Sequence, residues 1–212
     1  MATSMTPSRM TDGQIERAVE IFRAQLRKAA PELPSDAVQQ VFGQPELGPE
    51  WLAVLRKRVD TISNMIVRKV RVDRSRDPQA VLDATGRNQY TDKKVVAGMP
   101  KGEGEEVEVC FFKLGRWISD ADLEKEYELR GLEADHYAQA QVNIDDPSLA
   151  DKHPNGSHWK DKDGNWCFLA IRRWRDERNV RCNRHALDWG DDWWFAGRRR
   201  STSLTAGKSG SR

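Results

Sequence analysis

Residues 159–197, WKDKDGNWCFLAIRRWRDERNVRCNRHALDWGDDWWFAG, decide the fold of this 212-residue chain. Six of its eight tryptophans and two of its three cysteines fall there. Asp163-Gly164-Asn165 supplies a tight-turn signal. The apolar run 166–171 (WCFLAI) is too short for a typical helix and predicts a strand. Arg172, Arg173 and Arg175 surround Trp174, so the run ends in a charged rim. After the polar break 176–178, Val180-Arg181-Cys182-Asn183 alternates with period two. Residues 186–192 predict a loop and 193–197 the last strand. Each tryptophan can bury about 150–250 Å². Trp166, Trp174, Trp193 and Trp194 are accordingly expected to form the core of a small sheet. Ligand stacking is the sharper use of the same rings.

Upstream, residues 106–112 (EVEVCFF) alternate and then turn fully apolar, predicting another strand. Ser119-Asp120-Ala121-Asp122 has the outline of a capping box and opens a helix with Leu123, Tyr127 and Leu129, stopped at Gly131. A second helix is expected over 135–142, with one further turn after Asp145-Asp146-Pro147. Residues 65–72 shift toward alternation and lead into this domain. Pro78 suits the first position of a short helix. Gly86, Gly98, Pro100, Gly102 and Gly104 punctuate an irregular segment without the GxGxxG spacing of a phosphate loop. Strand, helix, helix and then several strands is the order of an α+β fold.

The N-terminal part predicts helices. Thr11 or Asp12 can cap the first, along which Ile15, Val19, Phe22 and Leu26 recur at steps of three and four. Arg23, Arg27 and Lys28 lie toward its C-terminus, where cations are favoured. Pro31 and Pro34 end it. Ser35 opens a short helix with Val38, Val41 and Phe42, and a third over 50–65 carries Trp51, Leu55, Val59 and Ile62. The expected organisation is a helical module over 1–64, an α+β domain over 65–197 and a disordered basic tail over 198–212. A module of that size has a meagre core, so it packs on the rest of the chain or pairs with a second copy. Arg56, Lys57, Arg58, Arg68, Lys69 and Arg71 suggest a DNA-reading helix, set against the plainer reading of a solvated charged face.

The net charge of +2, with 32% charged residues, excludes a generally basic nucleic-acid binder. Hydrophobic residues make up 38%, so part of the chain is expected to be extended or solvated. Three cysteines without a CxxC pair argue against a zinc ribbon; buried thiols are expected, and a Cys167–Cys182 disulfide stays open. The N-terminus has no secretory apolar core and no run of 18 apolar residues occurs, so a cytoplasmic protein without a membrane span is expected. His153, His158 and His185 would need Asp161, Asp163 or Asp188 to converge on a metal. Asp161-Lys162-Asp163-Gly164-Asn165 is similar to a calcium loop but has Arg172 at the twelfth position, so a hairpin turn explains it better. Asp120, Asp122, Glu124 and Glu126 suit the positive end of a helix dipole. No catalytic constellation stands out, and the expectation is a protein without enzymatic activity, cofactor or metal.

The pieces Tyr127-Glu128-Leu129-Arg130-Gly131-Leu132, His153-Pro154-Asn155, His158-Trp159, Gly164-Asn165-Trp166-Cys167, Arg173-Trp174 and Trp193-Trp194-Phe195-Ala196-Gly197 resemble a block shared by a group of short, uncharacterised bacterial proteins. The likeness covers roughly residues 60–197. That group looks like the variable proteins of diversity-generating retroelements, in which mutagenesis at template adenines recodes Asn codons near the C-terminus. The resemblance implies a C-type-lectin-like fold whose recoded side chains form a binding surface for a protein or another ligand. An AAC codon altered at its adenines cannot encode Lys, Glu, Gln or Met, and residues 179–200 contain none of these four. By composition alone that absence has a chance of roughly one in a hundred. Glu177 must then be scaffold. The candidate contact residues are Phe168, Leu169, Arg172, Arg175, Arg181, Asn183, His185, Leu187, Gly190 and Asp192. Self-association through the N-terminal helices is a further expectation. The alternative is a nucleic-acid-associated protein using the basic third helix and the tail at Arg198-Arg199-Arg200.

Overall fold

A computed structural model describes residues 10–185 and 187–200, except for the side chains of 60–63. The expected frayed start before Met10, the tail after Arg200 and the inward role of Ile62 lie outside the described residues. Two units divide at Lys57/Arg58.

The first unit holds α1 (Asp12–Ala29), a 3-10 turn (Ala30–Glu32), α2 (Ser35–Phe42) and the start of α3 (Leu47–Ser63). Thr11 closes a reciprocal capping box with Gln14, satisfying two N–H groups that a helix start otherwise leaves bare. Pro31 and Pro34 bound the break after α1, where proline cannot continue a helix.

The second unit is α+β. Its elements are β1 (Ile66–Arg71), α4 (Pro78–Ala84), β2 (Asn88–Thr91), α5 (Lys93–Ala97), β3 (Glu106–Lys113) and α6 (Asp120–Leu129). They continue with β4 (Leu132–Ala134), α7 (His136–Asp145), α8 (Leu149–Lys152), β5 (Asn155–Lys160), β6 (Trp166–Trp174), β7 (Glu177–Arg184) and β8 (Trp194–Arg199). The eight strands make one sheet in the order β1-β3-β8-β5-β6-β7-β2, with β4 also on β8. It is not purely antiparallel as expected: β5 runs parallel to β8 and β2 parallel to β7. The segment read as irregular contains β2 and α5, each too short to show a period. Asp77, Asp92, Ser119 and Asp135 cap α4, α5, α6 and α7, each accepting a backbone N–H from the first turn.

Period-two alternation gives the sheet two cores. Val109, Phe111, Leu169, Ile171, Val180 and Cys182 face one way, where α7 packs across the strands. Cys110, Phe112, Ala170 and Phe195 face the other, under Leu123 and Tyr127 of α6 and the Trp189 indole. All three cysteines are buried and free, so the Cys167–Cys182 bond is not formed.

The central strand β5 reads as polar yet its residues 155–159 are buried. One side meets a polar face of α7. Asn143 Nδ2 and Gln139 Nε2 each donate to Asn155 Oδ1 at 3.0 Å. Ser157 Oγ donates its only proton to Gln139 Oε1 at 2.5 Å, so it accepts from His136 Nδ1–H at 2.6 Å. Polar groups buried in this way are stable only when paired, which is what the network provides.

Strand β8 runs on past Gly197, correcting the expected start of the tail. Arg198 ion-pairs with Glu133 and lies 3.6 Å from Asp135. Arg199 reaches Glu108 at 2.9 Å. Two of the three arginines assigned to nucleic acid in the alternative reading thus already have carboxylate partners.

Arg175 opens the two-residue turn between β6 and β7 with a left-handed φ of 55°. A side chain costs about 1–2 kcal/mol there, which glycine escapes. Arg175→Gly is expected to stabilise the second unit by up to about 1 kcal/mol, read as a raised urea midpoint. An unchanged or lowered midpoint would disprove the strain.

Candidate functional site

The face of β6 and β7 away from α7 opens into a cleft of about 1030 Å³. Pairing sets its floor: Phe168 lies opposite Asn183, Ala170 opposite Arg181, and Trp174 opposite Glu177. Phe168, Ala170, Arg172 and Trp174 line the cleft because alternate residues of a strand share a face. Their neighbours Cys167, Leu169 and Ile171 belong to the core on the other side. Trp117, before α6, His185 and residues 187–193 complete the walls.

Of the ten residues nominated from sequence, Phe168, Arg172, Arg181, Asn183, His185, Leu187, Gly190 and Asp192 line this cleft. Leu169 does not; it is fully buried on the opposite face, one residue out of phase. Arg175 does not either, since it makes the β6–β7 turn beyond the floor. Asn183 is already engaged, donating to the Tyr90 carbonyl at 2.7 Å. Trp174, expected in the core, is 55% exposed in the cleft. The buried tryptophans are Trp159 and Trp189. Trp117 was missed: it is 67% exposed and has no periodic context in the sequence.

The cleft combines aromatic planes with cations. The Arg172 guanidinium sits 4.5 Å from the Trp174 ring centroid and 5.8 Å from that of Trp193. Burial, and then the charge of Arg181, lower the Arg172 pKa from the usual guanidinium range, while Asp192 acts the other way. Among the described residues, the Arg172 and Arg181 side chains make no ion pair or hydrogen bond, and Arg172 Nε is buried without a partner. Arg184 differs, being held by Asp161 at 3.1 Å. Asp161 also accepts the backbone N–H groups of Asp163 and Asn165, so the calcium-loop-like segment is a hairpin turn.

Asp120, at the start of α6, fixes the far wall. Its Oδ1 accepts from His158 Nδ1 at 2.7 Å and from Trp189 Nε1 at 2.9 Å. Its Oδ2 accepts from His185 Nδ1 at 2.5 Å. One buried carboxylate therefore ties both His185 and Trp189 of the loop to α6. A two-residue bridge between Ile118 and Trp189 adds main-chain bonds. The Trp189 indole lies where Gly156 lacks a side chain; a Cβ there would come within 2.5 Å of it. His158 lies between the Tyr127 and Trp166 rings, 5.6 and 4.6 Å away, and its Nε2 is 3.3 Å from Glu124. Burial raises the Asp120 pKa, but the bonds from His158, His185 and Trp189 outweigh it and hold the carboxyl well below its usual range. Burial lowers the His158 pKa, and its bond to Asp120 together with the nearby Glu124 carboxylate more than reverses this. The sequence placed Asp120 only as a helix-dipole partner; what it also holds becomes visible once residues 158, 185 and 189 converge.

Among the described residues no three His, Cys, Asp or Glu side chains form a group able to hold a metal. No helix there is long and apolar enough to cross a membrane. Compared with models of protein families, with curated proteins and with solved structures, the chain matches none.

Proposed function

We propose that this chain is a non-enzymatic binding protein, a retroelement-diversified variable protein with a C-type-lectin-like fold, whose ligand or protein partner docks in the β6–β7 cleft. The observation that carries the reading is that eight of the ten nominated residues, from two strands and one loop, line a single concavity. A floor whose opposite face is core lets cleft side chains change while the fold persists. Unpaired arginines beside exposed tryptophans are the residue types that dominate binding energies at such surfaces. They favour a ligand with an anionic group beside an aromatic or apolar body.

Two measurements test this reading. DNA downstream of the gene is expected to carry a near-repeat of the coding region for residues 179–197, differing only at adenines and beside a reverse-transcriptase gene. Its absence sinks the diversified origin but leaves the cleft. For a partner captured by the full chain, Arg172→Ala and Trp174→Ala are each expected to weaken binding at least about tenfold. Both should leave the urea midpoint nearly unchanged. Unaltered affinity in both variants would rule out the cleft as the binding site.

A further inference from the structure

No residue from 10 to 57 is buried, although α1 and α2 lie wholly within that stretch. Their apolar side chains are therefore not covered by one another. Along α1, Ile15, Val19, Phe22, Leu26 and Ala29 follow at steps of four, three, four and three. That is the 3.5-residue repeat of a coiled-coil seam. Ile15, Val19, Phe22 and Leu26 are 39–46% exposed. Trp51 stacks on Phe22 with ring centroids 5.0 Å apart and borders the same apolar groove of about 540 Å³.

Charge along α1 is polarised. Asp12, Glu16 and Glu20 occupy its first half, and Arg23, Arg27 and Lys28 its second. Arg17, the exception, is paired within the helix to Glu20 at 3.0 Å. Such a helix is complementary to itself only when reversed.

We propose that a second copy of this chain closes the α1 face, with the two α1 helices antiparallel about a two-fold axis between Val19 and Phe22. Ile15 then meets Leu26, and Val19 meets Phe22, of the other copy. The seam-flanking positions bring Glu16 against Arg23 twice, and the helix dipoles oppose. A parallel pair would lay the acidic half of α1 beside the partner's acidic half and the basic half beside the basic half, which the charge pattern disfavours.

Light scattering on the full chain tests this. The expected mass is twice 24.3 kDa. Arg23→Glu, and separately Glu16→Arg, should each weaken the dimer at least about tenfold, with far-UV circular dichroism reporting whether the helices persist. The double exchange Glu16→Arg with Arg23→Glu should restore it. A wild-type monomer would assign the face to the chain's own second unit or to another protein, and overturns the proposal. A trimer overturns it too, as does a dimer indifferent to both single exchanges.

Discussion

Asp120→Ala is expected to destabilise the second unit by about 3–5 kcal/mol, the range for removing one partner from a buried charge pair. Three donors lose their acceptor at once: His158 Nδ1, His185 Nδ1 and Trp189 Nε1. Asp120→Asn keeps one acceptor oxygen and should recover part of the loss. Urea unfolding followed by circular dichroism gives the difference directly, and a loss below about 1 kcal/mol would deny Asp120 its place as the anchor. The pH dependence adds a second signature. Folded His158 holds its proton above the ordinary value of 6.5. Its contribution is therefore complete below that pH and lost as pH rises through the folded pKa. In Asp120→Ala that alkaline decline should shrink, while wild type retains it.

The second large effect lies on the acid side. His136 is fully enclosed by α7 and β5; burial first, then the charges of His158 and Arg74, lower its pKa from 6.5 to about 3. The unfolded chain binds a proton at this residue below pH 6.5 and the folded chain does not. Stability from His136 is thus present above that pH and lost as pH falls toward 3, at about 1.4 kcal/mol per unit, on the order of 4–5 kcal/mol in all. His136→Gln can still donate to Ser157 and does not titrate. Its unfolding free energy should fall less steeply between pH 6 and 4, by close to one proton. Equal slopes in the two proteins would exclude His136 as the source of acid sensitivity.

What the sequence revealed follows its periodicity. Strands β1 and β7 and the start of β3 alternate apolar and polar residues, β6 shows as a short apolar run, and helices α4, α6 and α7 start at capping residues or at proline. Strand β5 has no such pattern. Asn155, Ser157 and His158 are buried by pairing with α7 and Asp120, and pairing over long separations leaves no local signal. Trp174 shows the opposite error: a large apolar residue suggests burial, yet its even register with Arg172 puts it in the cleft. Leu169 and Phe168 differ only in phase. A list of contact residues drawn from a run of sequence must include some from the wrong side, and the pleat decides which.

Strand β8 sits between β3 and β5, although it comes last among the strands. The hairpins β5–β6 and β6–β7 can form from neighbouring sequence. So can contacts of α6 with β4. Neither half of the sheet is complete until β8 slides between them, joining residues about ninety positions apart, as Val109 is to Arg198. Such a closing step makes assembly slow and all-or-none. Until β8 docks, the edges of β3 and β5 that it will fill are unpaired, a template for pairing with other chains. The keystone of the sheet is thus also its latest arrival, and the interval before it docks is when misassembly is most exposed.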